Sequence, residues 1–356
     1  MKLKNAFILF LFAVIVCPLH AQDLPKQKIL FVGYAAEREG DIYVVDEDGK
    51  NLHNLTNSNF DDISASWSPD GQQIVFLSNR DYKGEDWYHG YAIYVMDESG
   101  KNVRRIVDHV TYGVMPFWSP NGEFISFMQN EDKFKGYNDR DCKINIVKPN
   151  GTEREAVFGL SYCDDLGVSK GAQWSPDGED LLMSTSGSLR VINVARKDAR
   201  TEMVGKPFRY NPRWSGDGKK ITYIQVPDDN NYDVFIANAD GSDEKQLTFK
   251  PTLDLGPQFA FSDSTILFGS GSPHSLDLYA FSLKDETVQQ LTNTSGDKYA
   301  WKVSPNSSQI IYVMGSSDGK YGIRILDLKT LVDDSFMDET FYSVGGFSWQ
   351  PIKGHS

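Results

Sequence analysis

Apolar positions in this chain come in short blocks rather than helical stripes. Ile74-Val75-Phe76-Leu77, Phe124-Ile125-Ser126-Phe127, Leu181-Leu182-Met183 and Ile221-Thr222-Tyr223-Ile224 are strand-length runs rich in β-branched and aromatic residues. The same turn precedes each block: Trp67-Ser68-Pro69-Asp70-Gly71, Trp118-Ser119-Pro120-Asn121-Gly122, Trp174-Ser175-Pro176-Asp177-Gly178 and Trp214-Ser215-Gly216-Asp217-Gly218. Pro presets φ, Asp or Asn bonds the turn backbone, and Gly takes the position with φ above zero. Each copy therefore predicts a strand ending at the Trp, a tight turn, and a second strand running back.

The anchor position continues in weaker form at Phe259, Val303 and Trp349, and steps between anchors run from 40 to 56 residues. A second pattern fills the rest of each unit. Ile42 to Leu52, Ile93 to Val107, Ile144 to Phe158, Val234 to Leu247 and Leu278 to Leu291 each read as strand, turn, strand. Gly49, Gly100, Gly151 and Gly241 mark the first four of these turns as hairpins. Asp46, Asp48 and Gly49 have the look of a calcium loop, but the EF-hand spacing and its closing Glu are absent, so a hairpin is expected. Four short strands per unit at this period predict an all-β propeller.

The two ends set the blade count. Ile29-Leu30-Phe31-Val32 is a second strand with no Trp strand before it, and Gly346-Phe347-Ser348-Trp349 is a Trp strand with nothing after it. Together they make one blade and close the ring, which removes exposed strand edges. The count is seven blades. Six would require two weak units to merge, against the constant seven-residue offset from anchor to next strand. The expected organisation is a signal peptide over 1–21, a short linker over 22–28, the propeller over 29–351 and a tail over 352–356.

These turns, with hairpins ending in Gln246-Leu247-Thr248 and Gln290-Leu291-Thr292, resemble the propeller repeats of TolB and its relatives. The resemblance covers nearly the whole chain after the leader. It implies a periplasmic binding role, since TolB partners a peptidoglycan-associated lipoprotein. Two departures stand against TolB itself: no α/β domain precedes the first blade, and TolB has six blades.

Composition narrows the function classes. The chain carries a net charge of −13, which disfavours nucleic acid as a partner because that needs a basic footprint. Lys2 and Lys4, the apolar run Ala6 to Cys17, and Ala21 as a small residue for cleavage read as a secretory leader too short to span a membrane. Cys17 would also suit a lipoprotein, although bulky Val16 precedes it. In an exported chain the remaining cysteines, Cys142 and Cys163, are expected to pair.

Candidate chemistry gathers on one face. In such a blade the Trp turn is at the bottom, so second-to-third-strand loops and blade-to-blade connections share the top. Long loops there carry Tyr82, Trp87, Tyr88, His89, Phe134, Tyr137 and Tyr162 on blades 2 and 3, interleaved with Asp and Glu. Exposed aromatics among polar groups suit a protein or a glycan of the envelope. Gln173, Arg213, Gln258 and Lys302 on the inner strands are expected to line the channel, holding water or a structural ion. No other cofactor is expected, and the closed ring is expected to be monomeric. The histidines are scattered with no His-x-His pair, and no nucleophile elbow is read. A non-catalytic binding scaffold is therefore the first expectation. The alternative is a metal-dependent, oligogalacturonate-lyase-like enzyme working at the top mouth of the channel.

Overall fold

The computed structural model describes residues 26–352 apart from 36–38, 84–89, 111–113, 131–141, 161–170, 186, 205–206, 227–230, 251, 273–274, 295 and 316–319. Its strands form seven antiparallel sheets of four. Blade 1 has Ser343–Trp349 as its inner strand, hydrogen-bonded to Lys28–Tyr34, so the two ends of the chain close the ring. The inner strands of blades 2 to 7 are Asp62–Trp67, Phe117–Trp118, Gln173–Trp174, Phe208–Trp214, Leu253–Ala260 and Lys298–Val303. Seven blades, closed by terminal pairing, match the expectation from the repeat. Among the described residues no helix is long and apolar enough to cross a membrane.

The second strands explain the unbroken apolar blocks. Alternate side chains of a strand point to opposite sheet faces. In a propeller both faces meet a neighbouring blade. Ile74 and Phe76 of blade 2 pack toward blade 1 with Leu30, Ile42 and Val44. Val75 and Leu77, between them in sequence, pack toward blade 3 with Ile125, Phe127 and Val147. The other five interfaces repeat this plan, including that between blades 7 and 1, where Ile311 and Val313 meet Ile29, Phe31 and Phe347. Burying each such side chain contributes about 1.5–3 kcal/mol, so these interfaces are the core of the fold.

The bottom turns are built as the sequence implies. In blade 4, Ser175 Oγ donates to Asp177 Oδ1 at 2.5 Å, and the same carboxylate oxygen accepts from Glu179 N at 3.0 Å. Asp180 N returns to Ser175 Oγ at 2.9 Å. Gly178 sits at φ 76°, where a side chain would be strained. Blades 2, 3, 5 and 7 repeat the Ser–Asp or Ser–Asn box at Ser68–Asp70, Ser119–Asn121, Ser215–Asp217 and Ser304–Asn306.

The hairpin endings have their own network. Thr248 Oγ1 accepts from Val234 N at 2.9 Å, while Gln246 Nε2 donates to Asp233 Oδ2 at 3.0 Å. Thr292, Gln290 and Asp277 repeat it in blade 6, and Thr56, Asn54 and Asp41 in blade 1. The Gln-Leu-Thr motif is thus a structural clasp for the outer strand.

Candidate functional site

The top face begins where each inner strand begins. Five residues before the anchor, four blades hold a buried charge: Asp62, Arg209, Asp254 and Lys298. Each is treated differently. Asp62 takes Arg80 Nη2 at 2.8 Å and Ser58 Oγ at 2.8 Å. The Arg80 guanidinium also lies 5.0 Å from the Tyr94 ring centroid, a cation–π contact that locks the top of blade 2. Arg209 meets Glu244 Oε1 at 3.3 Å. Lys298, fully buried, meets Asp277 Oδ1 at 2.8 Å and the carbonyls of Thr294, Gly296 and Leu276 at 2.6, 3.2 and 3.3 Å. Asp254 differs, because its Oδ2 is buried without a hydrogen-bond partner. Burial pushes its carboxyl pKa up, against hydrogen bonds from Ser270, Thr248 and Thr252. Sequence reasoning missed all four, since no shared residue type marks the position.

Of the aromatics expected to bind, Tyr82 is described. It is half-buried in the second-to-third-strand loop of blade 2, where its ring lies over Gly90 so closely that a Cβ there would sit 2.5 Å from it. Tyr82 thus packs on its own loop. Trp87, Tyr88, His89, Phe134, Tyr137 and Tyr162 lie outside the described residues. Cys142 opens the third strand of blade 3, is buried, and is disulfide-bonded. Cys163 lies outside the described residues.

A different set of apolar side chains stands exposed on the top. Phe60, Met115, Val204, Phe208, Phe249 and Tyr342 lie at five of the seven blade-to-blade connections, and Phe249 is 74% exposed. They are scattered over connections of mixed composition with no shared spacing, which is why no sequence pattern singled them out. On the bottom side, Phe261, Leu328 and Leu331 line one groove of about 350 Å³ between blades 6 and 7.

Gln173, Arg213, Gln258 and Lys302, expected to line the channel, hold one register position on four successive inner strands, each a residue before the anchor. Just outside them the anchor indoles stitch the blades together. Trp118, Trp174, Trp214 and Trp349 donate from Nε1 to the carbonyls of Ser66, Phe117, Gln173 and Lys302 in the preceding blade at 3.4, 3.1, 3.3 and 3.5 Å. Blade 7 has Val303 at its anchor, and Trp301 supplies the bond instead, to Gly256 O at 3.1 Å.

Two features bear on catalysis. Gly315-Ser316-Ser317-Asp318-Gly319 has the Gly-x-Ser-x-Gly spacing, but it joins the antiparallel strands Gln309–Gly315 and Tyr321–Asp327 rather than a strand to a helix. A nucleophile elbow requires the strand-to-helix turn. Among the described residues no group of three or more His, Cys, Asp or Glu side chains is arranged to hold a metal.

Known proteins agree with this architecture. A family model described as the TolB beta propeller domain matches residues 24–145. An uncharacterized peptidase of Bacillus subtilis (strain 168), YuxL, is 27% identical over 158 residues, covering 44% of this chain and 20% of that protein. The chain thus matches well under two thirds of this relative's length. TolB from Acinetobacter baumannii superposes with a TM-score of 0.54 at 18% identity, over 92% of this chain and 67% of that one. An oligogalacturonate lyase from Vibrio parahaemolyticus gives a TM-score of 0.63 at 12% identity, over 86% and 95%. At these identities the structural likenesses establish a shared fold.

Proposed function

We propose that this TolB-like β-propeller is an exported, non-catalytic binding scaffold whose top face takes a protein of the cell envelope. One observation carries the reading: exposed apolar side chains stand at five of the seven connections around the channel mouth. The propeller buries most of its apolar surface between blades, whereas these residues keep a large part of theirs exposed, Phe208 also packing against Gly187 of blade 4. Exposed apolar groups spread around one concave mouth, with polar residues between them, supply the anchors of a docking surface. Val204 and Met115 among them favour a protein over a glycan, since sugar rings stack on aromatics.

The test is capture of partners from envelope extracts. Phe208→Ser with Phe249→Ser should abolish capture while the melting temperature stays unchanged. Trp87→Ala with Tyr137→Ala should weaken it too. Gln72→Lys with Glu179→Lys, on exposed bottom turns, should leave capture intact. Binding that survives the top changes and fails on the bottom ones would place the site on the wrong face.

A further inference from the structure

Arg213 and Lys302 are cations of an acidic chain that no acid answers among the described residues. They stand at the same register position on blades 5 and 7, with Gln258 at that position on blade 6 and Gln173 on blade 4. In blades 5, 6 and 7 the inner strand bulges just before this position, at Asn211, Gly256 and Ala300, all with φ between 49° and 55°. A bulge re-aims the side chain that follows it. The left-handed backbone costs Asn211 and Ala300 about 1–2 kcal/mol each, so the re-aiming is held against strain.

The polar contacts are few. Arg213 Nη1 donates to Pro212 O at 2.9 Å, and Gln173 Nε2 donates to the same carbonyl at 3.1 Å. Gln258 Nε2 donates to Trp301 O at 3.0 Å. Among the described residues, no ion pair or hydrogen bond reaches the Lys302 ammonium, and no carboxylate reaches Arg213. Lys302 is solvent-accessible along the channel, yet the surrounding strands exclude bulk water. That desolvation first, and the Arg213 charge second, push its pKa down to about 8. Desolvation likewise pulls Arg213 down to about 10. The two charges sense one another although blade 6 separates their strands.

The same fold shows how it settles a buried cation that has no ligand to meet. Lys298 is given Asp277 and three carbonyls, and Arg209 is given Glu244. Arg213 and Lys302 are left with most of their donors unused, in a walled channel where like charges repel. A guanidinium fork takes two oxygens of one anion, and an ammonium beside it supplies a third contact.

We propose that Arg213 and Lys302, flanked by Gln173 and Gln258, form an oxyanion site in the central channel that takes a carboxylate or phosphate group. The group arrives either as a free ion or at the end of an acidic chain entering from the top face.

The test is calorimetric titration of the full chain after leader removal, at fixed ionic strength, with inorganic phosphate in one arm and tetraglutamate in the other. Saturable binding is expected in at least one arm, weakened tenfold or more in Arg213→Met/Lys302→Met. Phosphate binding alone identifies a free ion, and tetraglutamate binding alone identifies a chain-borne carboxylate. The double variant should melt no lower than the parent without ligand, because it removes a repulsion. As an independent reading, the Lys302 amine, followed by NMR after reductive methylation, should titrate about one pH unit higher once the probe is bound. No binding beyond that of chloride in both arms, or equal binding by the double variant, would overturn the site.

Discussion

The indole Nε1–H of Trp174 donates to the main-chain carbonyl of Phe117 across 3.1 Å, joining blade 4 to the innermost strand of blade 3. Its counterpart Trp67 occupies the same position in blade 2, yet its Nε1 is buried with no acceptor. The difference arises at the closing blade, where Ser348 offers Trp67 a hydroxyl for its backbone N–H instead. Trp174→Phe therefore removes a ring edge and a hydrogen bond, whereas Trp67→Phe removes a ring edge alone. A net hydrogen bond is worth about 0.5–1.5 kcal/mol. Urea unfolding should place Trp174→Phe below Trp67→Phe by roughly that margin. Equal losses would mean the anchor acts through packing alone.

The Trp anchors were legible because the turn that follows them is local and repeats. A contiguous Ser-Pro-Asp-Gly fixes its own geometry, and four such turns with three weaker anchors at the same period set the ring. Trp301 was not legible as an anchor. The bulge at Ala300 shifts the spacing, so a donor two residues early reaches a carbonyl two residues early. Asp62, Arg209, Asp254 and Lys298 were hidden for another reason: the position is constant while its charge changes sign from blade to blade. Gln173, Arg213, Gln258 and Lys302 could be aligned by counting back from the anchors. That two of them would lack an acidic partner depends on residues far apart in sequence.

Thr248 sets the outer strand of blade 5 through one oxygen. Its Oγ1 accepts from Val234 N at 2.9 Å, and both groups are buried. Thr248→Val keeps the shape and orphans that N–H. A buried donor left without a partner costs about 1–3 kcal/mol. Thr292→Val should cost a similar amount in blade 6, where Leu278 N donates to Thr292 Oγ1 at 3.0 Å. Chemical denaturation measures both, and a loss below about 0.5 kcal/mol in each would assign the clasp to the Gln side chains.

Asp254 should give stability an unusual dependence on pH. Burial raises its pKa in the folded protein above the ordinary carboxyl value of 3.8. The folded state thus holds this proton more tightly than the unfolded chain does. The stability so contributed is full below the unfolded pKa and is lost as pH rises through the folded one. Asp97 has the opposite sign: hydrogen bonds from Ser99 and Lys101 hold it down to about 2, so its contribution is present at neutral pH. Asp254→Asn cannot lose a proton, and comparison with the parent cancels Asp97. The melting-temperature advantage of Asp254→Asn should grow between about pH 4 and pH 8. An advantage constant across that range would show that the carboxyl titrates alike folded and unfolded.

Gly256 and Gly346 both lie on inner strands and differ in what surrounds them. Gly256 has φ 55°, and a Cβ there would stand 2.7 Å from the Trp301 ring that bonds its carbonyl. A Cβ added at Gly346 would meet no atom of the other described residues within 4 Å. Gly256→Ala should therefore destabilise by about 2 kcal/mol or more from overpacking and left-handed strain. Gly346→Ala should stay within about 0.5 kcal/mol of the parent. Thermal melts of the pair would separate crowding from a general intolerance of side chains beside the channel.

The closing strand makes a claim about the whole ring. Phe347 and Trp349 pack with Ile29, Phe31, Ile311 and Val313, so they belong to the interface between blades 7 and 1 as well as to the sheet. Ile29, Leu30 and Phe31 stand opposite Trp349, Ser348 and Phe347 in the antiparallel register. Truncation after Val344 would remove both large rings and expose that edge together with Ile29 and Phe31. It would also remove Lys302's acceptor role for Trp349 Nε1. Neighbouring blades share their cores, so the loss would propagate rather than fray one edge. The truncated chain should show a lower, broader transition and bind a hydrophobic dye at temperatures where the parent does not. If it melts cooperatively at the parental temperature, blade 1 is complete without its inner strand, and closure is not what holds the ring.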